Sequence, residues 1–316
     1  MKIERSEALG RDIRRDEVGA ITESSWDGVR RALDEGKLDD ALARFEYGYS
    51  EATMMQDSAI AFVDNALVHL AKVAGEDADY HKLRAGHVSL QRYRDQARLL
   101  WEPARADIRE GNIPEAHTRL DVACVEGKKM HDAAISFVDD ALTHIAKVAG
   151  EDEVNTVLRT RYEPVIRKWI EATPSVKESI ERAVEYQRGH FGKTAIREEN
   201  DRFVITCDPC GSGGSLRRSK TVATSEKAHD WTWNKAGVPL YCTHCTVMWE
   251  ILPMEIRGIP IRINLPPKKD TDPCVHLYYK TPEAIPDEYF KRVSRTRDAA
   301  NAKHVEDFVK VPEKKQ

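Results

Sequence analysis

Around Ile60, Val63, Leu67, Leu70 and Ala74 the apolar residues recur at three- and four-residue steps, which predicts one face of a helix. Phe62, Ala66, His69 and Val73 add a second, mostly apolar stripe, so this helix is expected to be covered on two sides, as in the middle of a bundle. The pattern then returns. Residues 55–77 recur as 130–152 at an offset of 75, with 17 of 23 positions identical. The same offset pairs Trp26 with Trp101, Gly36 with Gly111, Glu51 with Glu126 and Leu83 with Leu158. Such self-similarity marks a tandem duplication of one helical unit. Within a unit, 26–33 reads as a short helix closed by Gly36, and 38–47 as another helical stretch. Pro114 falls near a helix start, where its missing N–H does no harm. Gly75 and Gly150 follow the last apolar turn and suit left-handed caps. Typical helix lengths give three or four helices per unit, packed about a pseudo-twofold axis or stacked as a short solenoid.

Beyond a further helical stretch at 176–186 the pattern changes. Residues 202–206 are rich in β-branched side chains and predict a strand running into Cys207. Ile259, Ile261, Ile263 and Leu265 alternate with other residues, and 275–279 offers another strand. The expected class is therefore α+β: an all-α, tandem-duplicated N-terminal domain followed by a small, mainly β domain. The boundaries predicted are an N-terminal segment at 1–24, repeats at 25–99 and 100–172, and a connecting helix at 173–190. A β-rich domain follows at 191–281, then a charged helix and tail at 282–316.

Composition changes this picture little. The 316 residues are 41% hydrophobic and 32% charged, which fits a globular chain with real cores. The net charge of −4 predicts no general attraction to nucleic acid or anionic membranes. From residue 191 onward 21 Lys and Arg face 17 Asp and Glu, a local net of +4, and the remainder carries −8. The first residues hold no apolar run, and no stretch approaches the roughly 18 apolar residues of a membrane helix. A cytoplasmic location with no membrane partner is the resulting expectation. Six cysteines, four of them in two Cys-x-x-Cys pairs, then predict metal ligation in place of a disulfide framework.

Two residues between cysteines let a tight turn aim both sulfurs at one ion. Cys207 with Cys210 and Cys242 with Cys245 would complete a tetrahedron of thiolates, at Zn–S distances of about 2.3 Å. Over 207–245 the arrangement resembles a zinc ribbon, in which two knuckles are carried on β-hairpins. The resemblance implies a structural Zn2+ held by these four cysteines, with no position open to substrate. An iron–sulfur centre or a redox dithiol are the alternatives. Cys274 and His276 could replace a ligand or lie beside the site, and His244, inside the second pair, is expected to point away.

Other candidates are less specific. Asp57 and Asp132, Asp64 and Asp139, and His69 and His144 are equivalent in the two repeats. Facing one another, four carboxylates could converge beside His131, although the Glu-x-x-His spacing of di-iron bundles is absent. Ordinary salt bridges are the simpler account, and an apolar cavity between the copies lies between the two. The glycine-rich 211–218 segment ends in Arg217 and Arg218, which suits an anion nest or a loop of solvated arginines. It matches neither the P-loop nor the dinucleotide fingerprint. Trp231 and Trp233 could line a pocket or pack a small core. The basic cluster at 291–297 reads as a short helix before a frayed end.

Three functions follow from these candidates. The first is a protein with structural zinc whose duplicated domain binds a small molecule or a protein partner. The second is an enzyme with its site between the two domains, using Asp57, His131, Asp132 or Cys274, with Arg217 and Arg218 holding an anionic substrate. The third is nucleic-acid binding through the ribbon, against which the local net of only +4 argues. In each case the site is expected beside the paired cysteines, where the glycine-rich loop, Trp231, Trp233 and Cys274 meet the duplicated helices.

Overall fold

A computed structural model describes residues 1–6, 11–17, 19–172 and 175–297. Its architecture is α+β: a long helical N-terminal region and a small antiparallel sheet toward the C-terminus. After a short N-terminal hairpin come six helices: α1 (Ser25–Asp34), α2 (Leu38–Ala74), α3 (Ala78–Leu99), α4 (Trp101–Glu110), α5 (Ile113–Ala149) and α6 (Glu151–Ala172). Their lengths run 10, 37 and 22 residues, twice over. The Ser24 hydroxyl accepts from the Trp26 N–H to start α1, and the Asp77 carboxylate accepts from the Tyr80 N–H to start α3.

The expected stretch 38–47 and the helix after it are one continuous element, α2. Gly48 lies within it without breaking it. A Cβ there would meet the Trp26 ring at 3.1 Å, so this glycine serves a close approach between helices. Gly75 and Gly150 do have positive φ, at 82° and 100°, but their ψ values are extended, so neither forms a left-handed cap. The chain there swings straight into the next helix.

α2 and α5 form the spine of the bundle. Val63, Ala66, Leu67 and Leu70 of α2 share a core with Met130, Val138, Leu142 and Ile145 of α5. A second core gathers Trp26, Phe45, Trp101, Ile108 and Leu120. Trp26 and Trp101 occupy equivalent places in the two repeats and stack on one another, centroids 4.5 Å apart at 25°. Each buried indole of this size removes 150–250 Å² from water, so the stack anchors the contact between the repeats.

α7 (Val176–Gly189) crosses the bundle and ties it to the N-terminal hairpin of β1 (Ile3–Ser6) and β2 (Arg11–Arg14). Arg11 of that hairpin pairs with Glu185 and Arg15 with Glu181, both on α7. Deeper, Arg188 of α7 donates from Nε and Nη2 to Glu51 of α2, at 2.8 and 2.5 Å, with both side chains almost wholly buried.

The sheet has the order β3 (Thr194–Glu198), β4 (Arg202–Cys207), β6 (Cys274–Tyr279), β5 (Ile263–Leu265), antiparallel throughout. In the register of β4 and β6, Cys207 stands opposite Cys274. The strand expected over 259–265 shrinks to its last three residues. Pro260 has no N–H to offer a ladder, and the Ile261 and Arg262 N–H groups go to the Trp249 carbonyl, at 3.0 and 3.5 Å. Between β4 and β5 lie α8 (Gly213–Ser219), α9 (His244–Thr246), a π-helical turn (Val247–Ile251) and α10 (Leu252–Arg257). The short α11 (Asp287–Lys291) covers the beginning of the basic cluster, and the tail that the sequence led us to expect beyond residue 297 lies outside the described residues. Among the described residues no helix is long and apolar enough to cross a membrane.

Candidate functional site

The two regions share one continuous apolar core, and at their junction lies a cavity of about 120 Å³. Its helical wall is Met55 and Phe62 from α2, Tyr162 and Val165 from α6, and Tyr186 and His190 at the end of α7. The opposite wall carries Cys210, Cys242, Cys245 and Cys274, with His244, His276 and Arg262. Glycines make this crowding possible. A Cβ on Gly211 would lie 2.3 Å from the His190 carbonyl oxygen, and one on Gly213 would lie 2.7 Å from the Cys242 sulfur. The glycine-rich segment is thus no flexible loop; it becomes α8, packed against the second cysteine pair.

The zinc expectation is corrected here. Among the described residues, no group of three or more His, Cys, Asp or Glu side chains is arranged to hold a metal ion. The second pair departs from a ribbon knuckle, since Cys242 lies in a single 3-10 turn (Tyr241–Thr243) and Cys245 in α9, with no β-hairpin beneath them. The sulfurs are also engaged separately. Cys207 is fully buried, with its Sγ 3.8 Å from His276 Nδ1, and it does not line the cavity. Cys245 Sγ has His244 Nε2 at 3.5 Å and Arg262 Nη2 at 3.6 Å. Cationic guanidinium groups beside sulfur occupy directions in which a cation would have to approach. Zn2+ held by Cys207, Cys210, Cys242 and Cys245 is therefore withdrawn, and with it the zinc-binding function and the metal-binding description.

Cys274, outside the Cys-x-x-Cys pairs, lines the same cavity as Cys210. Arg217 brings Nη2 to 3.6 Å from the Cys274 sulfur. Gln187 Nε2 donates to Cys210 Sγ at 3.8 Å, and the Ser212 hydroxyl lies 3.6 Å from it. Interaction with the Cys274 thiol holds Cys210 well below the usual thiol range, while Cys274 itself is pushed far up. Burial pushes Cys242 up to about 12. Burial acts against ionisation of Cys245 too, but the neighbouring His244 outweighs it and lowers that thiol. Within one cavity, then, the four thiols differ sharply in acidity, the property that governs sulfur nucleophilicity.

The duplicated acids do not meet in a common site. Asp57 is half exposed and paired with Arg94 and Arg98, at 3.2 and 2.8 Å. Asp132 pairs with Lys128 and lies 3.1 Å from His131 Nδ1. Asp64 faces Arg84 and His87, and Asp139 faces Lys220. His131 nevertheless reaches the junction: its Nε2 is 2.6 Å from Nδ1 of His190, whose ring lines the cavity. Trp231 is buried and stacks on His229, whereas Trp233 lines the cavity and donates from Nε1 to Glu250 at 3.2 Å. Arg218 is fixed by Asp208 and the Thr271 carbonyl, each at 2.6 Å.

Two contributors escape sequence reasoning. His190 stands alone at the end of α7, with no motif around it. Arg262 looked like the polar phase of an alternating strand, yet it is buried over the Trp249 ring, 4.4 Å from its centroid. No family model, curated protein or solved structure matches the chain, so these geometries stand without a relative.

Proposed function

We propose that the chain is a thiol-based redox protein whose working pair is Cys210 and Cys274. The single observation carrying this reading is that Cys210 and Cys274 line the same cavity, with the Arg217 guanidinium 3.6 Å from the Cys274 sulfur. The volume of about 120 Å³ exceeds what one water needs and approaches cavities known to take a benzene-sized guest, so the oxidant it fits is a small hydroperoxide.

The chemistry balances with that co-reactant. Cys210 attacks the terminal peroxide oxygen, the O–O bond breaks, and the departing oxygen leaves as water (or an alcohol) after taking a proton. Cys210 is then a sulfenic acid. The Cys274 sulfur attacks the Cys210 sulfur, the S–O bond breaks, and the hydroxyl leaves as water with the Cys274 proton. Two thiols lose two electrons to form one disulfide, and the peroxide is reduced by the same two. An external dithiol would reverse the change. Arg217 beside Cys274 supports negative charge on that sulfur as it attacks.

The test is peroxide consumption by the reduced, full-length protein. One equivalent should be consumed in a fast phase with loss of two thiols, and Cys274→Ser should stop the reaction at sulfenic acid, captured by a dimedone-type reagent. Loss of thiols in no fixed ratio, unchanged by Cys274→Ser in a variant that melts like the wild type, would overturn the reading.

A further inference from the structure

Beside the cysteines lies a second cleft of about 550 Å³. Cys242 and Trp233 line both spaces. Five cationic side chains edge the cleft: Arg217, Arg218, Lys220, Lys268 and Lys269, against one acid, Asp270. Two of the five are neutralised elsewhere, Arg218 by Asp208 and Lys220 by Asp139 and Asp140. Lys268 and Lys269 are exposed, and among the described residues neither has a carboxylate within ion-pairing distance.

Arg217 supplies the independent observation. Its side chain is only 3% exposed, and its Nε has no hydrogen-bond partner. Its oxygen partners are long, the Lys269 carbonyl at 3.5 Å and Asp270 Oδ1 at 3.6 Å, and its remaining partner is the Cys274 sulfur at 3.6 Å. A buried guanidinium with an unused donor is costly unless something accepts from it. The remaining walls are apolar, from Val222, Val238, Pro239, Pro266 and Pro267. An inorganic ion would leave those walls idle, whereas the volume lies within the ordinary range for small organic ligands.

We infer that this cleft binds a phosphate monoester of a small apolar molecule, its phosphoryl group held by Arg217, Lys268 and Lys269. Arg217 offers the fork that matches phosphate oxygens, and the two lysines add point charges from the rim. The Val and Pro walls receive the organic body. The cleft shares Trp233, Cys242, Pro266 and Pro267 with the thiol cavity, but neither Cys210 nor Cys274 lines it, and Arg217 reaches Cys274 from it.

The experiment is calorimetric titration of the full chain with phenyl phosphate, inorganic phosphate and phenol as separate probes. Phenyl phosphate should bind at least tenfold more tightly than either of the others, with affinity falling as salt is raised. The exposed pair Lys268→Ala and Lys269→Ala, which leaves the core intact, should weaken phenyl phosphate tenfold or more. Equal binding of phosphate and phenyl phosphate would reduce the cleft to an ion site and overturn the assignment. Absence of binding at millimolar concentration, or binding indifferent to the double lysine variant, would overturn it as well. Peroxide consumption by the double variant should stay at the wild-type value, so failure here is distinct from failure of the thiol reading.

Discussion

Arg217 places its guanidinium Nη2 3.6 Å from the sulfur of Cys274, so one buried side chain of the basic cleft reaches a thiol that lines the neighbouring cavity. A cation at this distance stabilises developing negative charge on sulfur. Replacing it with Met should slow disulfide formation several-fold while leaving the sulfenic acid step at Cys210 largely intact. Stopped-flow thiol loss resolves the two phases, and Arg217→Lys should restore part of the slow one. Equal slowing of both phases would show that Arg217 acts only on packing.

The pair of Arg188 and Glu51 fixes α7 to the bundle from inside, with both side chains nearly inaccessible. Removing one partner of such a pair leaves an uncompensated buried charge and typically costs about 3–5 kcal/mol. Arg188→Met should therefore lower stability by that order in denaturant unfolding. The double change Arg188→Met with Glu51→Gln should recover a large part of it, because no charge then remains stranded.

Gly127 of α5 faces the indole of Trp101, and a Cβ there would lie 2.9 Å from Cζ2. At the equivalent place in the first repeat stands Ala52. Gly127→Ala should be destabilising by about 1–3 kcal/mol through overpacking, despite the better helix propensity of alanine. A thermal melt at or above that of the wild type would contradict this packing.

Acid should destabilise the fold below about pH 6.5, the ordinary histidine value. Burial lowers the pKa of His87 against the opposing pull of the Asp64 carboxylate, and burial together with His131 and His244 lowers that of His190 well below normal. The unfolded chain therefore binds more protons than the folded one once pH falls through the unfolded value, and stability rises with pH until that value is passed. Each such histidine contributes a slope of up to about 1.4 kcal/mol per pH unit in that window. Denaturant midpoints at pH 5.0, 6.0 and 7.5 check the slope, which His87→Gln should reduce.

The helical half was legible because its information is local and written twice. The stripe of Ile60, Val63, Leu67 and Leu70 gives a helix by spacing alone, and the offset of 75 residues exposes the duplication. The continuity of α2 was less visible, since Gly48 looks the same whether it breaks a helix or admits Trp26. The C-terminal part depends on long-range pairing. Cys-x-x-Cys spacing states that two sulfurs are close, but it does not state that Cys242 and Cys245 sit in helical turns or that Arg262 takes a place beside Cys245. The register of β6 on β4, which sets Cys274 opposite Cys207 and on the wall that Cys210 shares, is encoded by no spacing in the sequence. The duplicated acids misled for a related reason: Asp57 and Asp132 repeat through shared ancestry, and each is spent on its own basic neighbours.

The most direct measurement is peptide mapping of the full chain after reaction with one equivalent of hydrogen peroxide and alkylation of the remaining thiols. The account predicts one cross-linked species joining the peptides of Cys210 and Cys274, with Cys124, Cys207, Cys242 and Cys245 recovered as alkylated thiols. Recovery of Cys274 as free thiol while Cys242 and Cys245 carry the disulfide, or oxidation spread over all six cysteines, would contradict it.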